Sequence, residues 1–231
     1  MDLQSIRREY LRGSLTREDL LDDPIKQFQR WMEEAIRMEQ TEPTAMVVAT
    51  TPRDGQPSQR VVLLKGVDER GFTFFTNYES RKAREIAVNS RVSLHFPWLS
   101  IERQVIIGGV AEKVSVEESR AYFSSRPRES QLGAWASPQS RVLESRESML
   151  AQFDSISKKF KDGDIPLPEF WGGFRVRPCM IVSFIPCRLA ETGISSGWRP
   201  DYQRASQSGS CFFSKTDFRR AYCGRPFLYG G

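Results

Sequence analysis

The chain has 231 residues, of which 39% are hydrophobic and 27% are charged, and its formal net charge is +5. A chain of this length can bury its own core and fits one domain with appendages. No run of about 18 apolar residues occurs, which argues against a membrane-spanning helix, and the first residues lack the basic-then-apolar pattern of an export signal, so we expect a cytoplasmic protein.

Positive charge and cysteines are both concentrated near the C-terminus. Seven Lys/Arg and three Asp/Glu follow Pro186, which leaves a net charge of +1 for the preceding residues. The body of the protein is therefore almost neutral, and we expect neither a nucleic-acid nor a membrane partner. The last quarter also contains all the cysteines: Cys179, Cys187, Cys211 and Cys223. Their spacing matches no zinc pattern, so we expect neither a metal site nor a disulfide framework.

The first elements in chain order are a charged arm and a helix. Residues 1–22 are rich in charge and are predicted to form a mobile N-terminal arm. Asp23 and Pro24 then have the residue types of an N-cap and a first helical position. Apolar residues recur after them at helical spacing, which predicts an amphipathic helix that ends near Arg37 and packs on the core.

From Ala45 onward the hydrophobic pattern becomes that of β-strands. Stretches rich in Val, Ile, Phe and Thr are separated by turn residues, and they predict strands at 45–50, 59–67, 72–76, 92–96, 103–114 and 171–184. Helices are predicted at 80–88, 116–125 and 145–160. Successive antiparallel strands with peripheral helices indicate an α+β fold built on a barrel, with the domain at residues 23–181.

Cationic side chains recur at predicted strand ends between residues 60 and 82. Arg60 and Lys65 flank one apolar strand, and Arg81 and Lys82 follow the next strand along the chain. The arginine fork and the lysine point charge both suit phosphate, through charge-assisted hydrogen bonds. The block therefore predicts a phosphorylated ligand that is held on a β-scaffold.

Further motifs occur in order around this block and identify a family. They are R-R-E-Y at 7–10, P-T-A-M-V-V-A-T at 43–50, F-P-W at 96–98, E-R-Q-V at 102–105, Y-F-S-S-R-P-R at 122–128, S-Q-L-G-A-W-A-S at 130–137, Q-S at 139–140 and F-W-G-G-F-R-V at 170–176. In this series the chain resembles the pyridoxine (pyridoxamine) 5′-phosphate oxidases, especially the bacterial ones. The resemblance covers most of the chain.

The resemblance implies an FMN-binding split β-barrel, usually a homodimer with FMN between the subunits. By matching motif positions, FMN would be held by Arg60, Val61, Val62, Leu63, Phe75, Thr76, Arg81, Lys82, Gln104, Gln139 and Ser140. The substrate, chiefly its phosphate, would be held by Lys65, Tyr122, Arg126 and Ser130. The arm would contribute Arg7, Arg8, Glu9 and Tyr10 over the site.

The activity that the resemblance implies is FMN-dependent oxidation of pyridoxine or pyridoxamine 5′-phosphate to pyridoxal 5′-phosphate. A hydride would leave the substrate C4′ for flavin N5, and O2 would reoxidise the flavin and yield H2O2. Taken singly, the same residues have ordinary interpretations. Arg81 and Lys82 could be a solvated helix start, and Tyr122 with Arg126 a surface pair on a helix. Only the ordered set of motifs carries the ligand-binding interpretation.

The family pattern ends near Ile181. The family continues with E-F-W-Q-G and R-L-H-D-R, whereas this chain has V-S-F-I-P-C-R-L-A-E at 182–191, with Phe184 where a flavin-contacting tryptophan would be. We therefore expect an atypical tail at 182–231, an exposed sheet edge and an incomplete pocket. The tail could come from a shifted reading frame or be specific to a lineage.

Two other functions remain open at this point. One is a catalytically impaired split-barrel protein that binds FMN or pyridoxal phosphate without turnover. The other is a related flavin reductase that acts on a different substrate, which the matches at Lys65, Tyr122, Arg126 and Ser130 disfavour.

Overall fold

The computed structural model describes residues 3, 20–137, 145–186, 198–205 and 211–212. Within these ranges the chain forms the helices α1 (Pro24–Arg37), α2 (Arg81–Val88), α3 (Val116–Ser125), α4 (Arg128–Ala136) and α5 (Arg146–Lys159), with a 3₁₀ helix at Leu99–Ile101. None of the helices in this part of the chain combines the length and apolarity that crossing a membrane requires.

The strands form one curled antiparallel sheet, a half-barrel. They are β1 (Ala45–Thr50), β2 (Ser58–Leu63), β3 (Gly66–Asp68), β4 (Gly71–Asn77), β5 (Arg91–Trp98), β6 (Arg103–Lys113), β7 (Trp171–Pro186), β8 (Trp198–Ala205) and β9 (Cys211–Phe212). The order across the sheet is β2-β1-β5-β6-β7-β4-β3, with β8 and β9 attached to β7. The predicted α+β class is confirmed.

Strand β7 joins the two halves of the sheet because it is long enough to pair with three strands. Strand β6 pairs along one edge of β7, with a bulge at Gly108/Gly109. Along the other edge, β4 pairs with residues 171–176 and β8 with residues 180–186. We expected the atypical tail to leave an exposed sheet edge, but its strand β8 pairs with β7.

Helix α1 closes the core of the half-barrel. Asp23 caps it, since its Oδ1 accepts a hydrogen bond from the Ile25 backbone N–H at 2.8 Å. Phe28, which is 1% exposed, lies with its ring centroid 4.9 Å from that of Phe72 and 4.9 Å from that of Phe96. Trp98 is buried in the same core, and its ring centroid lies 5.5 Å from that of Phe28.

A second, smaller hydrophobic cluster lies beside the beginning of β7. It contains the buried residues Phe123, Leu132, Ile165 and Trp171. Helices α3 and α4 contribute the first two of these, and the beginning of β7 contributes Trp171. The cluster therefore fixes α3 and α4 against the strand end where the predicted substrate residues lie.

Two departures from the predicted elements lie close to the predicted site residues. Residues 59–67 were expected to form one strand, but the strand breaks because the Leu64 N–H donates to Thr44 O and the Lys65 N–H donates to Thr73 O. The chain changes pairing partner there, from β1 to β4. Helix α4 was not predicted, since it is short and contains Gly133, a poor helix former.

The Phe28→Ala variant should lose about 3–5 kcal/mol of unfolding free energy, because it removes a ring from a packed aromatic core. Ile36 is on the same helix but is 56% exposed, and we expect Ile36→Ala to change the unfolding free energy by less than about 1 kcal/mol. Urea denaturation of both variants measures this difference. Equal losses would mean that α1 does not close the core as described.

Candidate functional site

Three cationic side chains and one carboxylate meet where β2 approaches the beginning of α2. Arg60 Nη2 lies 3.3 Å from Glu85 Oε2, and Arg81 Nε lies 2.7 Å from Glu85 Oε1. Lys82 is the next residue of the helix, and its charge interacts with that of Arg60. We call these four residues the α2 cationic cluster. The cluster thus brings three cationic side chains and one carboxylate together.

Glu85 is the buried centre of this cluster. Its side chain accepts hydrogen bonds from the hydroxyls of Thr50 and Ser58, the latter at 2.6 Å. Burial alone would raise the pKa of Glu85, but the hydrogen bonds from Ser58, Thr50 and Arg81, together with the charge of Arg81, lower it from 4.5 to about 2. The carboxylate is therefore ionised at neutral pH and holds both arginines in place.

Lys82 is held at the N-terminal turn of α2. Its Nζ donates to Thr76 Oγ1 at 3.0 Å and lies 3.4 Å from Ser80 Oγ, and Ser80 is the N-cap of the helix. Burial, followed by the charge of Arg60, lowers the pKa of Lys82. An anion beside the ammonium would reverse that effect, and a helix N-terminus adds favourable backbone dipoles. The place suits a phosphate.

Strand β2 presents the other predicted cofactor residues. It is the last strand at its end of the described sheet order. Val61 is 66% exposed and Leu63 is 36% exposed, whereas Val62 is partly buried and packs on the core. Two apolar side chains on an edge strand are thus available to a ligand or to another chain.

Gln104 on β6 is fixed by a neighbouring strand. Its Oε1 lies 2.8 Å from Nε2 of His95 on β5, and both residues are half-buried. His95 therefore orients the amide of a predicted cofactor residue, with the tautomer that donates from Nε2.

Three aromatic rings stack beside the beginning of β7. Phe75 of β4 and Tyr122 of α3 are stacked with centroids 4.0 Å apart and planes at 21°. Trp171 is nearly parallel to both, at 5.5 Å from Phe75 and 6.1 Å from Tyr122. The stack joins a residue predicted to bind FMN to one predicted to bind the substrate.

Arg126 lies at the end of this stack, above the indole of Trp171. Its guanidinium carbon is 4.9 Å from the Trp171 ring centroid and 5.8 Å from that of Phe123. Its Nη1 is buried and has no hydrogen-bond partner in the described part of the chain. Arg126 lines a cavity of about 240 Å³ together with Asn77, Ser130 and other residues. Burial lowers the pKa of Arg126, although a guanidinium stays protonated at any physiological pH.

Lys65 lines a second cavity of about 340 Å³, together with Phe75, Tyr122 and Arg175. Arg175 Nη2 donates to Glu118 Oε1 at 2.6 Å, which ties β7 to α3. Burial raises the pKa of the Tyr122 hydroxyl, and the charge of Arg126 offsets this only in part. The phenol therefore remains a hydrogen-bond donor at neutral pH. Lys65 and Tyr122 thus line this cavity, whereas Arg126 and Ser130 line the first one.

The remaining predicted site residues cannot be placed. Arg7, Arg8, Glu9, Tyr10, Gln139 and Ser140 lie outside the described residues. Of the placed ones, Arg60, Thr76, Arg81 and Lys82 lie close together, and Tyr122 and Arg126 lie close together.

Sequence reasoning missed three residues that organise the site. Glu85 follows Arg81 at i+4, a spacing that predicts a helical ion pair, but nothing local indicates the hydroxyls that surround it. The motif at 170–176 includes Trp171, but the sequence predicted no role for either Trp171 or Asn77. Their positions depend on the pairing of Asn77 with Trp171 across β4 and β7.

The residues present fit FMN at its phosphate end. The α2 cationic cluster offers guanidinium and ammonium donors, which match a phosphate group. The Gln104 amide, oriented by His95, suits a ring heteroatom.

Comparison with known proteins agrees with this geometry. The family model described as pyridoxamine 5′-phosphate oxidase matches residues 32–160. The pyridoxine/pyridoxamine 5′-phosphate oxidase of Teredinibacter turnerae is 58% identical over 178 residues, which are 77% of this chain and 84% of that protein. The protein of the same name from Crocosphaera subtropica is 56% identical over 178 residues, 77% of this chain and 83% of that protein.

Two solved structures share the fold. PhzG from Burkholderia lata 383, solved with tetrahydrophenazine-1-carboxylic acid, superposes with a TM-score of 0.72 at 25% identity and covers 83% of this chain and 98% of its own. A pyridoxamine 5′-phosphate oxidase-related, FMN binding protein from Nostoc punctiforme has a TM-score of 0.63 at 13% identity, with coverages of 84% and 97%. The predicted split-barrel fold is confirmed.

The Glu85→Gln variant should melt at a lower temperature than the unmodified chain at pH 7, because Arg60 and Arg81 lose their buried counter-charge. The pKa of Glu85 is lowered from 4.5 to about 2 in the folded chain, so its stabilisation is complete above the unfolded pKa and is lost as the pH falls through the folded one. The gap between the two melting temperatures should therefore narrow from pH 7 to pH 3.

The matched control is Glu129→Gln, which changes an exposed glutamate of α4. It should leave the melting temperature nearly unchanged at both pH values. If the difference in melting temperature between Glu85→Gln and the unmodified chain does not change with pH, the assigned role of this carboxylate is wrong.

Proposed function

This chain belongs to the pyridoxine/pyridoxamine 5′-phosphate oxidase family, and from that premise we propose that it oxidises pyridoxine or pyridoxamine 5′-phosphate to pyridoxal 5′-phosphate. FMN is the proposed cofactor and O2 the electron acceptor, with H2O2 as the product. The alcohol substrate loses two electrons and two protons. The amine also takes up water and releases ammonia.

The observation that carries this proposal is the presence of two separate cationic sites. The α2 cationic cluster brings Arg60, Arg81 and Lys82 together, with Lys82 bonded to Thr76. The second site contains Arg126, whose guanidinium has a buried N–H group with no partner among the described residues. A flavin mononucleotide and a phosphorylated substrate together bring two phosphates, so one cationic site is available for each.

The proposed division of roles follows the residues that the two sites contain. Arg60, Arg81 and Lys82 hold the FMN phosphate, while Val61, Val62, Leu63, Phe75, Thr76 and Gln104 line the rest of the cofactor site, with Gln139 and Ser140 as further contacts. Lys65, Tyr122, Arg126 and Ser130 bind the substrate phosphate. Arg7, Arg8, Glu9 and Tyr10 are proposed to cover the substrate.

When bound, FMN supplies the two-electron chemistry that no side chain can perform. The work of this chain is then to bind and orient. The Tyr122 phenol donates a hydrogen bond to phosphate at neutral pH because burial raises its pKa. The Arg126 fork offers directional donors, and the Lys65 ammonium offers a mobile charge. Gln104, held by His95, orients the cofactor ring.

A homodimer is proposed because one protomer presents its two cationic sites on opposite faces of β4. Thr76 and Phe75 are neighbours in a strand, so their side chains point to opposite faces. Thr76 contacts Lys82, whereas Phe75 stacks on Tyr122. A second copy packed on the exposed apolar residues of β2 would bring a cofactor site of one protomer toward a substrate site of the other.

A second candidate function rests on the tail. After Ile181 the sequence has neither W-Q-G nor R-L-H-D-R, and the alignment with the Teredinibacter turnerae protein spans 178 of the 231 residues. We propose 182–231 as an atypical segment and 1–22 as an arm beside the domain at 23–181. If the missing segment contributes essential residues, the protein binds FMN or pyridoxal phosphate without turnover.

One experiment separates the two functions. The purified full chain is examined for flavin absorbance, and peroxide release is then followed with pyridoxine 5′-phosphate. Bound flavin with peroxide release supports the oxidase. Bound flavin without peroxide supports the binding protein, and a chain that cannot be loaded with FMN contradicts both.

The Lys82→Met variant should bind FMN about tenfold or more weakly, because it removes a charge-assisted hydrogen bond to phosphate. Quenching of flavin fluorescence on titration measures the dissociation constant. The matched control is Arg84→Met, which removes an exposed cation from the same helix and should leave FMN affinity within about twofold. Riboflavin, which has no phosphate, should bind both variants alike.

A further inference from the structure

The two cationic sites hold their arginines in chemically different ways. In the α2 cationic cluster, a buried carboxylate uses guanidinium donors, since Arg60 and Arg81 both bond to Glu85. Arg126 has no ion pair with any described residue, and it instead faces the aromatic rings of Trp171 and Phe123. Its charge is therefore compensated by ring faces rather than by an acceptor.

This difference matters for binding an anion. A carboxylate partner would use the in-plane N–H donors of the guanidinium, and an entering phosphate would have to compete for them. An aromatic face attracts the cation through its quadrupole and leaves those donors unused. The unpartnered Nη1 of Arg126 is consistent with such an unused donor.

The position of Trp171 is itself fixed by the fold. It pairs with Asn77 across β4 and β7, and both residues line the same cavity as Arg126 and Ser130. The next residue is Gly172, and an added Cβ there would lie 2.3 Å from Tyr78 Oη, so a larger residue would displace the Tyr78 ring. The indole is 7% exposed and parallel to the Tyr122 ring within 11°. Trp171 is thus a rigid platform under Arg126.

We propose that Trp171 is the positioning residue of the substrate-phosphate site. Its indole holds the Arg126 guanidinium with the donors uncommitted, and so it sets the preference of the site for phosphorylated over unphosphorylated ligands. The inference rests on the proposed function, in which Arg126 binds the substrate phosphate. Trp171 itself need not touch the substrate.

The test measures binding rather than turnover. Dissociation constants of pyridoxal 5′-phosphate and of pyridoxal are measured by equilibrium dialysis on the FMN-loaded full chain. Trp171→Leu should raise the dissociation constant of pyridoxal 5′-phosphate about 5- to 30-fold, the factor expected for a partly desolvated cation–π contact. It should change the dissociation constant of pyridoxal by less than about twofold. Trp171→Phe should recover part of the lost affinity for pyridoxal 5′-phosphate.

Trp135→Leu is the matched control. This indole is half-buried nearby, but its ring faces Lys159 at 5.3 Å and its Nε1 donates to Pro166 O. The control should leave the ratio of the two dissociation constants unchanged. Trp171→Phe alone keeps the test decisive if Trp171→Leu does not fold. An unchanged ratio in Trp171→Phe as well as in any folded Trp171→Leu would overturn the proposal, as would equal weakening of both ligands.

Arg126→Met distinguishes failure of this inference from failure of the proposed function. If Arg126→Met does not weaken pyridoxal 5′-phosphate, Arg126 is not the phosphate ligand, and the proposed substrate site is wrong. If Arg126→Met weakens it but the Trp171 variants do not, only the positioning role is overturned. If both weaken it, the double variant should bind no more weakly than Arg126→Met, because the two residues act through one contact. Additive losses would overturn the inference.

Discussion

The pairing of β4 with β7 is the constraint on which both candidate sites depend. It sets Phe75 opposite Gly173 and Thr76 opposite Gly172. Any larger residue at the two glycines would collide with a ring, since an added Cβ would lie 2.3 Å from Tyr78 Oη at Gly172 and 2.8 Å from Phe75 Cε1 at Gly173. Successive side chains of β4 point to opposite faces of the sheet, so Thr76 contacts the α2 cationic cluster and Phe75 joins the aromatic stack.

Placing cations in partly buried positions is costly, and the protein offsets the cost in two ways. Glu85 neutralises part of the α2 cationic cluster and is kept ionised by hydroxyl and guanidinium donors. Trp171 stabilises Arg126 without neutralising it. The first arrangement gives rigidity, and the second leaves hydrogen-bond donors for a ligand. The two cationic sites therefore differ in how many of their guanidinium N–H donors are already bonded within the protein.

The local sequence pattern predicted most of the fold, because capping residues and alternating apolar residues are strong signals for helix starts and strands. Asp23 and Pro24 marked the beginning of α1, and alternating apolar residues marked β1, β5 and β6. The predictions were wrong where long-range pairing decided the outcome. No local feature distinguishes Leu64 and Lys65 from strand residues, yet their N–H groups bond to two different segments. Likewise, nothing in the tail indicated that β8 would pair with β7.

The sequence by itself determined the family, the α+β class and the identity of the cationic residues, because ordered motifs and residue types are properties of the chain alone. Only the tertiary structure decided how those cations are compensated. Glu85 is separated from Thr50 by 35 positions, and Trp171 is separated from Arg126 by the whole of helices α4 and α5. Such contacts depend on which strands pair and which faces meet, and spacing along the chain carries no information on either.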